Sequence, residues 1–421
     1  MKLRDLPPEI LSLTLQTLQQ PDLYQCIFVN RRFNAAAIQH LWRAPTIRNH
    51  ARFKQFVKCL RSSKKPVGSW VRQFRIDWQQ QQDQSLFDDD DCLLLLPHVP
   101  QLEDFAVQNS DRLTDKSISS IANYCSQLEI LYLKRADITY RSAHHLGMRC
   151  KKLRKLTFDH CRKLQSMALL PFADCPLEYL DLSGCKWINV EDTAYDMRAF
   201  KRLRHLDIVC SDKTAMMNDF LLALARDEQS VVVMPDLMSF SVTGCNEIGD
   251  NAAIRFIEAH PQLEYLTLMA CGITDLTLDA IQRHLPRLLY LDISFCQSVT
   301  MGGVRRLIRG SRLQMIGLKA CGLRKFQFPE VPRGSDLLRQ TQVDIFNEAE
   351  INLIRTYPDD LPQPLFDDMP ADEVVAQFEE EQEQQGHHRM QIDPPAAEVS
   401  DEEEVAAVYV LIHQSLEANL L

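Results

Sequence analysis

Leucines recur through the middle of this chain in a six-residue frame, Leu-x-x-Leu-x-Leu, often followed three residues later by cysteine. The frame begins at Leu102, Leu128, Leu153, Leu177, Leu203, Leu237, Leu263, Leu288 and Leu313, so the spacings are 26, 25, 24, 26, 34, 26, 25 and 25 residues. A degenerate earlier copy reads Val71-x-x-Phe74-x-Ile76. The Leu-x-Leu alternation predicts a short strand with one buried face. The residues after it follow a helical period, as in Ile118, Ile121, Ala122, Cys125 or Leu278, Ile281, Leu285. One strand and one helix cannot bury their apolar faces alone, so such units must stack on their neighbours. The expected architecture is an α/β solenoid over residues 71–325, with parallel strands lining a concave side and helices a convex side. The 34-residue copy carries an insertion around Asp227–Asp236.

Residues 5–47 have a different pattern. Leu6-Pro7-Pro8-x-Ile10-Leu11 opens a helix with proline in the first turn, and Leu11, Leu15 and Leu18 share one helical face. Pro21-Asp22-Leu23 starts a second helix, and Phe33 to Trp42 a third. A three-helix unit of this length buries too little surface to stand alone and needs a partner or a docked neighbour. Over residues 48–65, Arg52, Lys54, Lys58, Arg61, Lys64 and Lys65 flank an apolar face of Phe53, Phe56, Val57 and Leu60. That amphipathic helix is read as a linker over 48–70 packing on the first repeat, with membrane or nucleic-acid binding as the alternative.

The N-terminal residues resemble an F-box: Leu6-Pro7-Pro8-x-Ile10-Leu11, Leu18, Pro21-x-Leu23, Val29-x-Arg31-Arg32-Phe33 and Leu41-Trp42. The repeats resemble the cysteine-containing leucine-rich repeats of F-box substrate receptors, which makes the solenoid a leucine-rich-repeat horseshoe. Asn30 stands where that family often has cysteine. The resemblance implies a domain over 1–47 that docks on a Skp adaptor through Leu6, Pro7, Pro8, Ile10, Leu11, Leu15, Leu18, Leu23, Phe33 and Trp42. The adaptor would link it to a cullin–RING ubiquitin ligase. The resemblance also implies that the concave face holds an unknown protein substrate. The competing expectation is an interaction scaffold outside ubiquitylation, with or without the adaptor.

Charge sharpens this picture at both ends. The formal net charge is −10. Residues 359–404 hold sixteen acids against one base, a net of −15, leaving about +5 for the remainder. Residues 1–75 hold fourteen Lys and Arg against three acids. The acidic, glutamine-rich stretch 367–404 reads as disordered. It follows a covering loop over 326–366 and precedes an amphipathic helix over 405–421. No apolar run is long enough for a membrane span, and nucleic acid is not an expected partner. Thirteen cysteines mostly follow the repeat, with Cys161, Cys185, Cys245, Cys271, Cys296 and Cys321 at the turn leaving each strand. They are read as buried thiols of a cytoplasmic or nuclear protein rather than as metal ligands.

Residues between the strand leucines face the groove. The candidates for substrate contact are Tyr132, Lys134, Arg135, Lys155, Asp159, Tyr179, Asp181, His205, Asp207, Tyr265 and Tyr290, since aromatic residues beside charges suit peptide binding. Lys134, Arg135, Arg154 and Lys155 form a basic group suited to an acidic or phosphorylated segment. Asp159, Asp181 and Asp207 form an acidic ladder, part of which belongs to the repeat scaffold. Catalysis, metal binding and a cofactor are not expected. His160-Cys161 is the sole adjacent His–Cys pair, and its cysteine sits at a repeat position. The Asp88–Asp91 run is read as solvated rather than as a calcium loop.

Overall fold

The computed structural model describes residues 6–78, 87–164, 168–185, 190–209, 217–226, 231–331 and 342–357. The acidic stretch and the terminal amphipathic helix lie outside them, as do Gln79–Gln82 and part of the long repeat's insertion.

Four helices come first: α1 (Pro8–Gln16), α2 (Gln20–Cys26), α3 (Arg31–Arg43) and α4 (His50–Ser62). Strands and helices then alternate as β1 (Gln73–Ile76), α5 (Asp89–Leu95), β2 (Asp104–Val107), α6 (Asp115–Tyr124), β3 (Ile130–Lys134), α7 (Tyr140–Arg149) and β4 (Lys155–Asp159). A single 3-10 turn, Leu170–Phe172, replaces the helix before β5 (Tyr179–Asp181). The series continues with α8 (Val190–Met197), β6 (His205–Val209), α9 (Met217–Ala225), β7 (Ser239–Thr243), α10 (Asp250–Ala259), β8 (Tyr265–Met269), α11 (Asp275–His284), β9 (Tyr290–Asp292), α12 (Met301–Gly310) and β10 (Met315–Gly317). It ends with β11 (Ile345–Phe346) and α13 (Glu348–Thr356).

Among the described residues the strands form one sheet in chain order. The strands β1 to β10 are parallel, each in register with the same position of the next repeat, and β11 closes the last edge antiparallel to β10. All three leucine positions of each frame, with the helix residues facing them, fill one continuous core. Leu131, Leu156, Leu180, Leu206, Leu266 and Leu291 are fully buried in it. The degenerate copy is a true repeat, because Phe74 and Ile76 are buried on β1.

Most of the parallel strands run into a residue of left-handed backbone conformation. Arg135, His160, Ala270, Phe295 and Ala320 have φ between 52° and 65°, and Gly184 and Gly244 occupy the same place. The turn exposes strand carbonyls, and the repeat cysteines donate to them: Cys185 Sγ to Phe158 O at 2.8 Å, Cys296 Sγ to Leu268 O at 3.1 Å and Cys321 Sγ to Ile293 O at 3.1 Å. Eleven described cysteines are free thiols. Cys245 departs from the expectation, being disulfide-bonded.

The helix starts are tied across repeats. Asp115 in the first turn of α6 accepts from Thr139 N at 2.8 Å and Thr139 Oγ1 at 2.6 Å, at the N-cap of α7. Asp89 serves Thr114, Asp250 serves Thr274 and Asp275 serves Thr300 in the same way. The Asp88–Asp91 run is therefore partly structural, with Asp90 left exposed as expected. Asp88 caps α5, Asp90 meets Lys116 at 3.0 Å, and Asp91 meets His50 at 2.9 Å.

The segment read as a covering loop contributes β11 and α13 instead. Asn347 and Glu350 form a capping box at the start of α13. Arg355 then donates to the carbonyls of Ile308, Ser311 and Leu313, so the last repeat's open end is hydrogen-bonded rather than left to solvent.

Candidate functional site

The helices α1 to α3 enclose a small core of their own. Leu11, Leu15, Leu23 and Ala37 are buried, with Leu18, Cys26, Ile27, Phe33, Ala36 and Leu41 packed around them. Pro7 and Pro8 start α1, and Arg32 Nη2 holds the Leu6 carbonyl at 2.7 Å. Asn30 has a clear local purpose: its side chain caps α3 by accepting from Arg32 N and Phe33 N.

This placement divides the expected adaptor residues into three groups. Leu11, Leu15 and Leu23 hold the helices together and present no surface, while Leu18 and Phe33 are half-buried against them. Trp42 faces the other way, stacking on Phe56 of α4 at 5.7 Å between ring centroids. Pro7, Pro8 and Ile10 are exposed and Leu6 is half-buried. Sequence periodicity missed the most exposed apolar side chains: Leu13, Tyr24, Phe28 and Val29 are 61%, 53%, 67% and 60% exposed. A helical wheel of leucines marks the inward face of such a unit and leaves its outward apolar residues looking incidental.

Helix α4 joins this unit to the repeats. Phe53, Val57 and Leu60 enter the main core beside Phe74 and Phe87, so the helix packs on the first repeat as a linker does. Trp78 Nε1 donates to Ile47 O at 2.9 Å, and Arg72 N to Arg43 O at 2.9 Å.

The second candidate surface is the sheet face opposite the helices. The register places Tyr132, Thr157, Asp181, Asp207, Ser241, Thr267 and Asp292 at one level on successive strands. Lys155, Tyr179, His205, Ser239, Tyr265 and Tyr290 form the row before it. Lys134 and Asp159 stand side by side in the row after it. The expected contact residues thus share a face, but many are sunk in it. Asp181, His205, Asp207 and Tyr290 are buried, whereas Tyr132, Lys155, Tyr179 and Tyr265 are half-buried.

The basic group expected to bind an acidic segment is largely occupied within the chain. Lys134 pairs with Asp159 at 3.0 Å, Arg135 with Asp111 at 3.2 Å and Arg154 with Glu178 at 2.8 Å. Of the four, only Lys155 has no ion pair among the described residues. Asp159 also bonds to His160 Nδ1. Burial opposes its ionisation, but the bonds from His160 and Lys134 outweigh that and hold its carboxyl below the usual range.

The neighbouring carboxyl behaves oppositely. Burial, with Asp207 next to it, pushes Asp181 up to about 7, although Ser183 N donates to it at 2.9 Å. Asp207 accepts from Tyr179 Oη at 2.6 Å, and Asp292 from Tyr290 Oη at 3.2 Å. Burial and adjacent carboxylates raise the phenols of Tyr132 and Tyr290 above their ordinary value, so both stay protonated. Burial likewise pushes the Cys161 thiol up to about 12, so its thiolate, the form a nucleophile needs, is scarce at neutral pH.

Two comparisons with known proteins gave matches. Residues 3–77 match the family model described as the COS11 F-box domain, a span that takes in α4 and β1 as well as the first three helices. The solved structure described as the crystal structure of the Rad7 and Elc1 complex in yeast is similar over 75% of this chain and 82% of that chain. The identity is 13% and the TM-score 0.47.

Proposed function

We propose that this chain, an F-box protein whose N-terminal domain runs into a repeat solenoid, is the substrate-recognition subunit of an SCF-type ubiquitin ligase. The F-box match over residues 3–77 carries this reading. It is supported by the exposed Ile10, Leu13, Tyr24, Phe28 and Val29, apolar side chains that a helical unit with a completed core leaves outside. The F-box binds a Skp-class adaptor through these side chains, and the adaptor brings the cullin and RING subunits. The sheet face of the leucine-rich repeats holds the protein substrate, so the chain acts in the cytoplasm or nucleus as a non-catalytic receptor. Its contribution is proximity. Holding a substrate lysine near the recruited ubiquitin-conjugating enzyme raises the effective concentration without covalent chemistry on this chain.

The test is capture of a purified Skp adaptor by the full-length chain and by an Ile10→Asp/Phe28→Asp variant. Both substitutions replace exposed residues, so the variant is expected to keep the wild-type melting temperature while losing the adaptor. Failure of the wild-type chain to bind the adaptor would remove the ligase reading.

A further inference from the structure

We propose that the exposed face of α4 is a docking surface for an acidic protein segment, whose alternate Asp or Glu side chains lie against Lys54, Lys58 and Arg61. This surface belongs neither to the apolar residues that α1 and α2 expose nor to the sheet face, and it gives the chain a third place for a partner.

The charge of this region is one-sided. From Leu23 to Ile76 the chain holds twelve Lys and Arg and no Asp or Glu. Three of these bases, Arg43, Arg72 and Arg75, reach Glu103 and Asp104 of the next repeat. On α4 the pattern is different. Arg52, Lys54, Lys58 and Arg61, with Lys64 and Lys65 just past the helix end, are all exposed. None of the six has an ion pair among the described residues, and Arg52 donates only to Gln55 Oε1, at 3.0 Å. Asp91, the acid set against the start of α4, is taken up by His50 at 2.9 Å. Exposed lysines of the repeats are matched instead. Lys116 meets Asp90 at 3.0 Å, Lys151 meets Asp174 at 3.2 Å and Lys163 meets Asp137 at 2.7 Å, each partner coming from a neighbouring repeat.

The helix itself is strained by this arrangement. Lys54 and Lys58 are four residues apart, and Lys58 and Arg61 three, so like charges stand side by side along one stripe. Such pairs destabilise a helix about as much as opposite pairs stabilise it. The first turn has no acid and carries Arg52, where the helix dipole favours an anion. Carboxylates laid along the stripe relieve the repulsion.

The surrounding side chains decide the class of anion. Phe53, Val57 and Leu60 are buried in the repeat core, so α4 has no apolar face to sink into a bilayer. Trp42, Phe56, Trp70 and Trp78 pack their rings against the same core rather than standing free for bases to stack on. Four of the six cations are lysines, point charges on flexible stems, whereas the planar arginine fork is the better reader of phosphate. An extended acidic chain fits the spacing. Its side chains two residues apart are separated by about 7 Å, and successive members of the stripe by about 6 Å, so alternate acids meet successive cations.

The experiment follows the fluorescence anisotropy of a labelled Glu-Ser repeat peptide, which carries an acid at every second residue, as full-length chain is added. A Gln-Ser repeat peptide, a random-sequence DNA duplex and vesicles of phosphatidylcholine and phosphatidylserine in equal parts are the comparison probes. The Glu-Ser peptide is expected to bind, more weakly as salt is raised, and the Gln-Ser peptide is not. A Lys54→Gln/Lys58→Gln/Arg61→Gln variant is expected to bind it on the order of tenfold more weakly. That variant loses like-charge pairs, so it should melt no lower than wild type and capture the adaptor equally well. A Lys116→Gln/Lys163→Gln variant, which removes lysines already paired, should bind the peptide as wild type does. No binding of the Glu-Ser peptide, equal affinity in the α4 variant, or tighter binding of the duplex or the vesicles would each overturn the proposal. Loss of adaptor capture in the α4 variant would also overturn it, by assigning α4 to the adaptor's surface. Peptide binding by a wild-type chain that captures no adaptor would remove the ligase reading and leave this surface standing.

Discussion

A small number of side chains join one repeat to the next, and the aspartates at the helix starts do so most regularly. Asp115 satisfies the N-terminal N–H and hydroxyl of Thr139 and also accepts from Ser142 Oγ. Removing it leaves a helix N-terminus without its acceptor, so Asp115→Ala is expected to lower stability by about 1.5–3 kcal/mol in chemical denaturation. Burial alone would raise the carboxyls of Asp89, Asp115 and Asp250, but the serine and threonine bonds outweigh it and hold them low. A depressed carboxyl stabilises the fold fully above its unfolded value, about 3.9. That stabilisation disappears as pH falls through the folded value, so acid unfolding should set in below about pH 4.

Asp181 works in the opposite sense. With its folded value raised to about 7, its contribution is complete below the unfolded value and is lost as pH rises through the folded one. Melting temperature should therefore decline between about pH 4 and pH 7 in wild type, and Asp181→Asn should flatten that decline. A variant with the wild-type profile would show that Asp181 does not titrate in this window. The leucine frame announced which residues would be buried and put Asp181 on the groove face, but the partners of neither set of aspartates could be read from it. Their partners lie a whole repeat away or on the next strand, and spacing along one repeat says nothing of what stacking brings alongside.

Among the elements, the repeats were legible because strand and helix periods alternate at nearly constant spacing. The end of the array was not. Residues 342–357 carry no leucine frame, yet they add an antiparallel strand and a capped helix to the last repeat. Arg305 on α12 and Glu330, 2.8 Å apart with side chains 7% and 1% exposed, are sealed beneath this end, with the guanidinium 5.4 Å from the Phe328 ring centre. Breaking a buried pair strands a charge, so Glu330→Ala should cost about 3–5 kcal/mol. An Arg305→Met/Glu330→Leu double variant should recover most of it, read in parallel urea melts. Equal losses in the two would mean that the site depends on shape rather than on the pairing.

Over the whole molecule, two apolar clusters meet through one helix. The F-box keeps its own small core, and α4 carries the connection by burying its apolar face among the first repeat's aromatic residues. The amphipathic pattern of residues 48–65 was enough to expect that packing. The outer surface of the F-box was harder to read, because leucine periodicity identifies what a helix hides and not what it offers. The groove was legible as a face, but its charge balance was not: Lys134 and Arg135 look available in sequence and are paired in the fold.

The central claim is that this chain joins a ligase through its F-box, and reconstitution tests it most directly. Full-length chain, Skp-class adaptor, cullin and RING subunit are mixed and separated by size-exclusion chromatography with light scattering. The account predicts one stable complex containing all four, lost on Ile10→Asp/Phe28→Asp. A complex with the adaptor that excludes the cullin, or no complex at all, would contradict it.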